Sequence, residues 1–535
     1  FRLAATYNRE FNETHILNSY AGAEVNSQER SSDWSEGWGM QYDNGELPFF
    51  DYLAFKRMRE RNTNYYGVSN TVNRQIAFFA TGTYSYKRRY TLTGTLRYEG
   101  SNRLGKARSA RWLPTWNVAA AWNMHEEEFF KKLQPAFSYL TLKASYSLTA
   151  DAGPTWVTNS RVVINSYNPW RPSAGVAESG LRISDLENSS LTYEKKHELN
   201  IGVDMGFLDN RINLAADWYK RNNFDLIGWT STQGAGGQVN RMGNVASMKS
   251  HGFEFTLSTK NIKNKGFEWS TDLIFGLSKT EVTELNTRSF MFALISGSGF
   301  TREGYPHRGL FSIPFVGLDE QGFPIFEISD KNNRKVLVDK NNYGTLNFQE
   351  MEHLDFLKYE GPTDPTITGS FGNIFSIKNW KLNVFVTYSA GNKVRLDPVF
   401  RSTYNDLDAT PKEFKNRWRV PGDEKRTNVP VISARRHHQL YSNLNLGYNA
   451  YNYSTVRVAD GGFVRMKEIS LTYSLPGSLL EGKLLKSASI KVQATNLFLI
   501  YSDKKLNGQD PEFFRSGGVS APVPKQFTCT LRLGF

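Results

Sequence analysis

What most constrains this chain is a two-residue rhythm that returns along its whole length. Leu140, Leu142, Ala144, Tyr146 and Leu148 alternate with Thr141, Lys143, Ser145, Ser147 and Thr149. Successive side chains of a strand point to opposite faces, so this segment has one apolar face and one polar face. The last nine residues obey the same rule, with Phe527, Cys529, Leu531, Leu533 and Phe535 set against Thr528, Thr530, Arg532 and Gly534. Tyr90, Leu92, Gly94, Leu96 and Tyr98 alternate with Thr91, Thr93, Thr95 and Arg97. Leu199, Ile201, Val203, Met205 and Phe207 turn at residues 208–211 and return through Ile212, Leu214, Ala216 and Trp218. Reading on in this way gives about fifteen strands.

A chain of 535 residues is too long for one ordinary globular core, so the strands belong to several domains or to one very large barrel. Loop length decides between them. Compact turns fall at residues 11–14, 87–89, 208–211, 261–265 and 378–380, with helix-friendly turns at 125–136 and 476–486. Long insertions rich in Gly, Asn, Pro and aromatic residues fill 29–72, 150–190, 225–245, 284–363, 395–460 and 501–523. That asymmetry predicts an all-β, transmembrane antiparallel β-barrel with short periplasmic turns and long extracellular loops; a soluble sandwich has no reason to sort its loops. No run of 18 apolar residues occurs, which excludes a transmembrane helix but not alternating barrel strands. An aromatic content of 14% suits the girdles of such a barrel. Bacterial barrels close with an even strand number, so fifteen strands predict an odd number before Phe1, and seven would complete the 22 of the plugged transporters.

The single cysteine, Cys529, excludes a disulfide framework and a thiolate metal site. No nucleophile elbow, P-loop, zinc motif or dinucleotide fingerprint is present, so no enzyme is expected. A net charge of +13 suits lipopolysaccharide, an acidic ligand or an acidic partner, and the barrel reading sets nucleic acid aside.

Ordered motifs then carry a resemblance. They are Tyr98-Glu99-Gly100-Ser101-Asn102-Arg103-Leu104-Gly105, Trp112-Leu113-Pro114 and Ala119-Ala120-Ala121-Trp122, followed by Leu191-Thr192-Tyr193-Glu194-Lys195 and Asn200-Ile201-Gly202-Val203-Asp204. Gly243-Asn244-Val245, Gly252-Phe253-Glu254, Phe463-Val464-Arg465-Met466-Lys467, Tyr473-Ser474-Leu475-Pro476, Asn496-Leu497-Phe498, Asp510-Pro511-Glu512 and the terminal strand follow in order. Together they resemble the SusC/RagA-type TonB-dependent transporters, across most of the chain.

The resemblance implies the C-terminal barrel portion, residues 1–535, of an outer-membrane importer from a Gram-negative bacterium of the Bacteroidetes. It implies that the N-terminal extension, TonB box, plug and first strands lie outside this chain. It further implies import of an oligosaccharide or oligopeptide under a SusD-like lipoprotein lid, drive by TonB, and a dimer of transporter–lipoprotein pairs in contact with lipid and lipopolysaccharide. A passive porin or adhesin is the alternative. Phe527, Leu531, Leu533 and Phe535 form the expected barrel-assembly signal.

Polar ligands are held by aromatic platforms beside hydrogen-bonding groups. On the long insertions those are Trp34, Trp38 and Tyr42; Trp156, Trp170 and Arg171; Trp229; Tyr305, His307 and Arg308; and Trp418 with Arg419. The competing reading is that these aromatics pack loops together. Asp339, Asn341 and Glu350 approximate a calcium-loop spacing, but Tyr343 stands where a third oxygen ligand belongs, so an Asx-rich turn competes with a structural Ca²⁺. Beyond that ion no cofactor is expected. Arg435-Arg436-His437-His438 is either a solvated loop or an anion or metal site.

Overall fold

A computed structural model describes the chain except residues 39–51, 62, 64, 105–106, 135, 154–161, 168–179, 235–238, 288, 331, 333, 349–353, 401–411, 483 and 514–523. Fifteen strands form one sheet in which each lies beside its predecessor in the chain. They are β1 (Arg2–Phe11), β2 (His15–Ser35), β3 (Tyr66–Tyr86), β4 (Tyr90–Ser101), β5 (Trp112–Asn123), β6 (Phe137–Asp151), β7 (Glu194–Phe207) and β8 (Ile212–Ser231). Then come β9 (Asn240–Lys263), β10 (Phe267–Leu285), β11 (Ile367–Ile377), β12 (Trp380–Ala390), β13 (Phe463–Ser474), β14 (Ser487–Ser502) and β15 (Gln526–Gly534). Contacts divide the chain into two units, residues 1–122, 144–199 and 221–247, and residues 123–143, 200–220 and 248–535.

In the first unit β2 and β3 are each 21 residues long and pair without a break from His15 opposite Tyr86 to Ser35 opposite Tyr66. Crossing a bilayer takes about 9–11 residues of tilted strand, so roughly half of this hairpin projects beyond it. Here the expected insertion at 29–72 is corrected, since its flanks are strand. Residues 26–33 are polar on both faces, as suits a ribbon with water on both sides, and that erases the alternation which marks a strand. For the same reason the insertion at 225–245 shrinks to the residues between Ser231 and Asn240.

Across β3 and β4 the polar face is a ladder of hydroxyl pairs: Thr81 with Thr95 at 3.2 Å, Thr83 with Thr93 at 3.1 Å, and Thr91 donating to Ser85 at 3.2 Å. The opposite face leaves Phe78, Leu92 and Leu96 more than half exposed. That face is bounded by rings. Tyr90 stacks with Trp122 and Tyr98 with Trp112, and eight residues of β4 separate Tyr90 from Tyr98, about 26 Å of strand. A second row, Trp116, Tyr146, His197 and Phe224, runs ring against ring on β5 to β8.

In the second unit the register aligns Ile377, Trp380, Tyr473, Ile490 and Leu531 in one row across β11 to β15, and Phe375, Leu382, Leu471, Val492 and Cys529 in the next. Leu531 is 64% exposed and Leu533 47%. A contiguous apolar surface of this kind is stable only against another apolar phase. Behind it, Lys491 meets Glu468 at 3.5 Å and Asn383 donates to Glu468 at 3.2 Å.

The second unit also holds the best-buried part of the described chain. The described residues of 286–366 and 391–462, the connections β10–β11 and β12–β13, pack together around Phe311, Phe323, Phe326 and Tyr343 from one and Phe400, Phe414, Tyr448 and Tyr451 from the other. Backbone pairing of Ile313 with Tyr453 and Thr455, and of Val431 with Gly322, joins the two.

Candidate functional site

Two surfaces could act on a solute: the polar face of the sheet and the domain made by the two long connections. On the polar face several charges are paired. Arg97 donates to Glu99 at 2.6 Å, Arg221 and Lys196 share Glu198 at 3.1 and 2.7 Å, and Lys143 reaches Asp204 at 2.8 Å. In the second unit a cavity of about 280 Å³ opens on that face, lined by Tyr139, Asp204, Asn213 and Ser258 among others. Glycine lets side chains lie close over the backbone on that face. A side chain at Gly206 would strike the Tyr139 ring, and one at Gly202 would strike the Asp217 carboxylate. These ion pairs and hydroxyls make that face polar and hydrogen-bonding.

Three buried arginines tie segments together, Arg395 and Arg457 within the connection domain and Arg465 between β13 and the β14–β15 connection. Arg395, 7% exposed, donates to the carbonyls of Phe311 and Ser454 and to the Ser312 hydroxyl. Burial pulls it down to about 9, against the nearby Glu360, which still leaves it a cation at neutral pH. Arg457 takes both oxygens of Glu413 at 2.7 Å, and Arg465 meets Asp510 at 2.6 Å and Glu512 at 2.8 Å. That last contact explains two of the motifs, since Phe463–Lys467 and Asp510–Glu512 are the halves of one ion-paired clasp. Nothing in the sequence joins residues 45 apart; the signal would be an unpaired Arg beside a two-carboxylate turn.

The structure puts the sequence-predicted residues to mixed use. Trp34 stands on β2, 49% exposed, with its indole lying over Gly67. Trp229 stands on β8, 52% exposed. Both are therefore strand residues, and their expected place on loops is corrected. Trp38 packs on Phe55 and Tyr65, at 5.0 and 6.3 Å between ring centroids. Tyr305 packs on Phe311 and Tyr359, Arg308 pairs with Asp364 at 3.0 Å, and His307 bonds Thr301 at 3.2 Å, all within one turn of the connection domain. Partial desolvation lowers the surface-exposed His307, opposed by Asp364. Trp418 covers Gly322 and donates to Glu424 at 3.2 Å, while Arg419 donates to the Lys415 carbonyl. Tyr42, Trp156, Trp170, Arg171 and Glu350 lie outside the described residues.

Asp339 accepts the Asn341 amide at 2.9 Å, and the Asn342 side chain accepts the Asp339 amide at 2.7 Å, which is an Asx turn. Tyr343 is 1% exposed beneath Gly447 and donates to the Pro324 carbonyl, so its slot in the spacing serves the core. No cluster of three metal-binding side chains occurs among the described residues.

Residues 1–458 match the family described as TonB dependent receptor-like, beta-barrel. The chain belongs to that family. A TonB-dependent receptor of Formosa agariphila is 25% identical over 96% of this chain and 50% of its own length. The TonB-dependent receptor SusC of Bacteroides thetaiotaomicron is 25% identical over 89% of this chain and 44% of its own. The chain thus spans about half the length of the curated relatives it matches. In three dimensions the structure of the RagAB peptide transporter is similar over 100% of this chain and 55% of that one, with a TM-score of 0.76 and 21% identity. This is an outer-membrane β-barrel similar to SusC and to RagAB, and the exposed apolar rows through Leu531 and Val492 suit its lipid-facing side.

Proposed function

We propose that this chain is the barrel portion of a TonB-dependent importer that takes oligosaccharides or oligopeptides across the outer membrane with a SusD-like surface lipoprotein. The observation that carries the reading is the family match over residues 1–458 of a wall that is apolar outside and charge-paired within. Similarity to SusC and to the RagAB peptide transporter supports a nutrient as cargo. No nucleotide is available outside the inner membrane, so energy must arrive mechanically through TonB, acting on parts that precede this barrel in its relatives. The wall then has only to be wide and hydrated, and the connection domain to meet ligand and lipoprotein. No bond is made or broken.

Uptake of fluorescent oligosaccharides and oligopeptides by cells expressing the whole protein tests this. Uptake should stop when tonB is deleted or the proton gradient is collapsed, and a surface lipoprotein should co-purify. Uptake that continues without TonB would make the chain a passive porin and end the import reading.

A further inference from the structure

Residues 412–441 of the connection domain carry a charge that its core does not use. The segment holds eight Lys and Arg against three carboxylates. Each carboxylate is occupied internally: Glu413 by Arg457, Asp423 by the amides of Arg419 and Val420, and Glu424 by the Trp418 indole and the Gly422 amide. By contrast Lys425, Arg426, Arg435 and Arg436 are exposed; Arg426 and Lys425 sit in the field of Asp423 and Glu424, whereas Arg435 and Arg436 form no ion pair among the described residues.

The segment wraps one turn, residues 319–323, with Trp418 over Gly322, Val431 bonded to the Gly322 carbonyl, and the His437 ring 5.1 Å from that of Phe323. Lys340 reaches the same place, paired with Asp319 and lying over Phe323 and Tyr441. Burial lowers His437, and Arg436, His438 and Lys340 lower it further, as expected in a local field of one sign. The exposed Glu320 of the turn offsets one of these charges.

Like charges held together on a folded surface repel one another and become favourable when a polyanion neutralises them. Guanidinium groups suit carboxylate and sulfate because they present two parallel donors. We propose that residues 412–441 form a capture surface for an anionic polysaccharide, one whose successive sugars bear carboxylate or sulfate groups. This rests on the import reading and narrows its cargo. A glycan is favoured over a peptide because every sugar of such a chain can carry an anion, whereas an oligopeptide carries an amino terminus that a cationic surface repels.

The test is calorimetric titration of the purified whole protein, with its co-purifying partner, against hexagalacturonate, a sulfated galactan hexamer, maltohexaose, hexaglutamate and lipopolysaccharide micelles. At least one anionic hexasaccharide should bind, and its affinity should fall steeply between about 50 and about 300 mM salt. R435Q/R436Q and, separately, K425Q/R426Q should each weaken it about tenfold without lowering the melting temperature. Either anionic sugar binding alone identifies the acid group. The proposal is overturned if neither binds, if maltohexaose or hexaglutamate binds as tightly, if only lipopolysaccharide depends on these residues, or if both double variants bind like wild type. Such a failure leaves TonB-dependent uptake untouched, and energy-independent uptake would sink import while leaving sugar capture standing.

Discussion

The wall and the connection domain use the same residue types in opposite ways. In the row Ile377, Trp380, Tyr473, Ile490 and Leu531 the apolar side chains stand outward, and Trp380 and Ile490 are 48% and 41% exposed. In the connection domain Phe311, Phe323 and Phe326 are wholly buried and packed on one another's neighbours. The wall gains nothing from burial within its own chain and depends on lipid, while its backbone hydrogen bonds and cross-strand pairs set register. The domain is held as a water-soluble protein is, by an apolar core closed with buried arginines. A barrel of this kind therefore carries two folding problems in one chain, and the two should fail independently.

The largest separation should come from the core. Tyr343→Ala removes a buried ring and its hydrogen bond to Pro324, and should destabilise the connection domain by about 3–5 kcal/mol. Limited proteolysis would then cut within 286–366 or 391–462 while the sheet stays protected. If the sheet were lost with the domain, their independence would be refuted.

The second prediction breaks the wall by choice of face. Val492→Arg places a charge on the row with Leu471 and Cys529 and should cost about 2–4 kcal/mol in the membrane. Gln493→Arg, one residue on, turns toward the polar face with Ser470 and Thr528 and should be tolerated. Heat-modifiable gel mobility of the two variants decides the matter, and equal behaviour would mean the faces have been assigned wrongly.

What could be read from the sequence divides along the same line. Alternation through Leu140 to Thr149 or Tyr90 to Tyr98 reports the wall directly, because the partner of each strand is the next strand in the chain. It failed where both faces are wet, at Asn26 to Asp33. The connection domain was illegible for another reason: Phe315 meets Tyr451 and Phe323 meets Tyr448 across more than a hundred residues, and no local period records that. The packing of Tyr305 against that core and of Trp418 over Gly322 had no trace in the local sequence, nor had the burial of Tyr343.

A smaller effect concerns acid. Although its side chain reaches solvent, partial desolvation keeps His307 below its ordinary 6.5, with Asp364 opposing and Arg308 assisting, so the effect is small. As pH falls below 6.5 the unfolded chain takes up a proton that the folded imidazole refuses, so stability present above that value is lost on acidification towards the folded pKa. Hydrogen exchange in residues 300–309 should quicken relative to the wall between about pH 7.5 and about pH 5.5. His307→Gln should flatten the dependence, and an unchanged slope in that variant would assign it to another group.

The smallest effect separates a turn from a metal site. Asp339 accepts the Asn341 amide with one oxygen, and its own amide is held by Asn342. A loop satisfied this way is stable without an ion, so Asp339→Asn, which keeps an acceptor oxygen, should be nearly silent. Asp339→Ala should cost about 1 kcal/mol. Calcium or a chelator should shift neither the melting of the domain nor the difference between the two variants. Were calcium to raise the melting temperature of wild type and not of Asp339→Asn, the carboxylate would be a ligand, because only the loss of its charge distinguishes that variant from the parent.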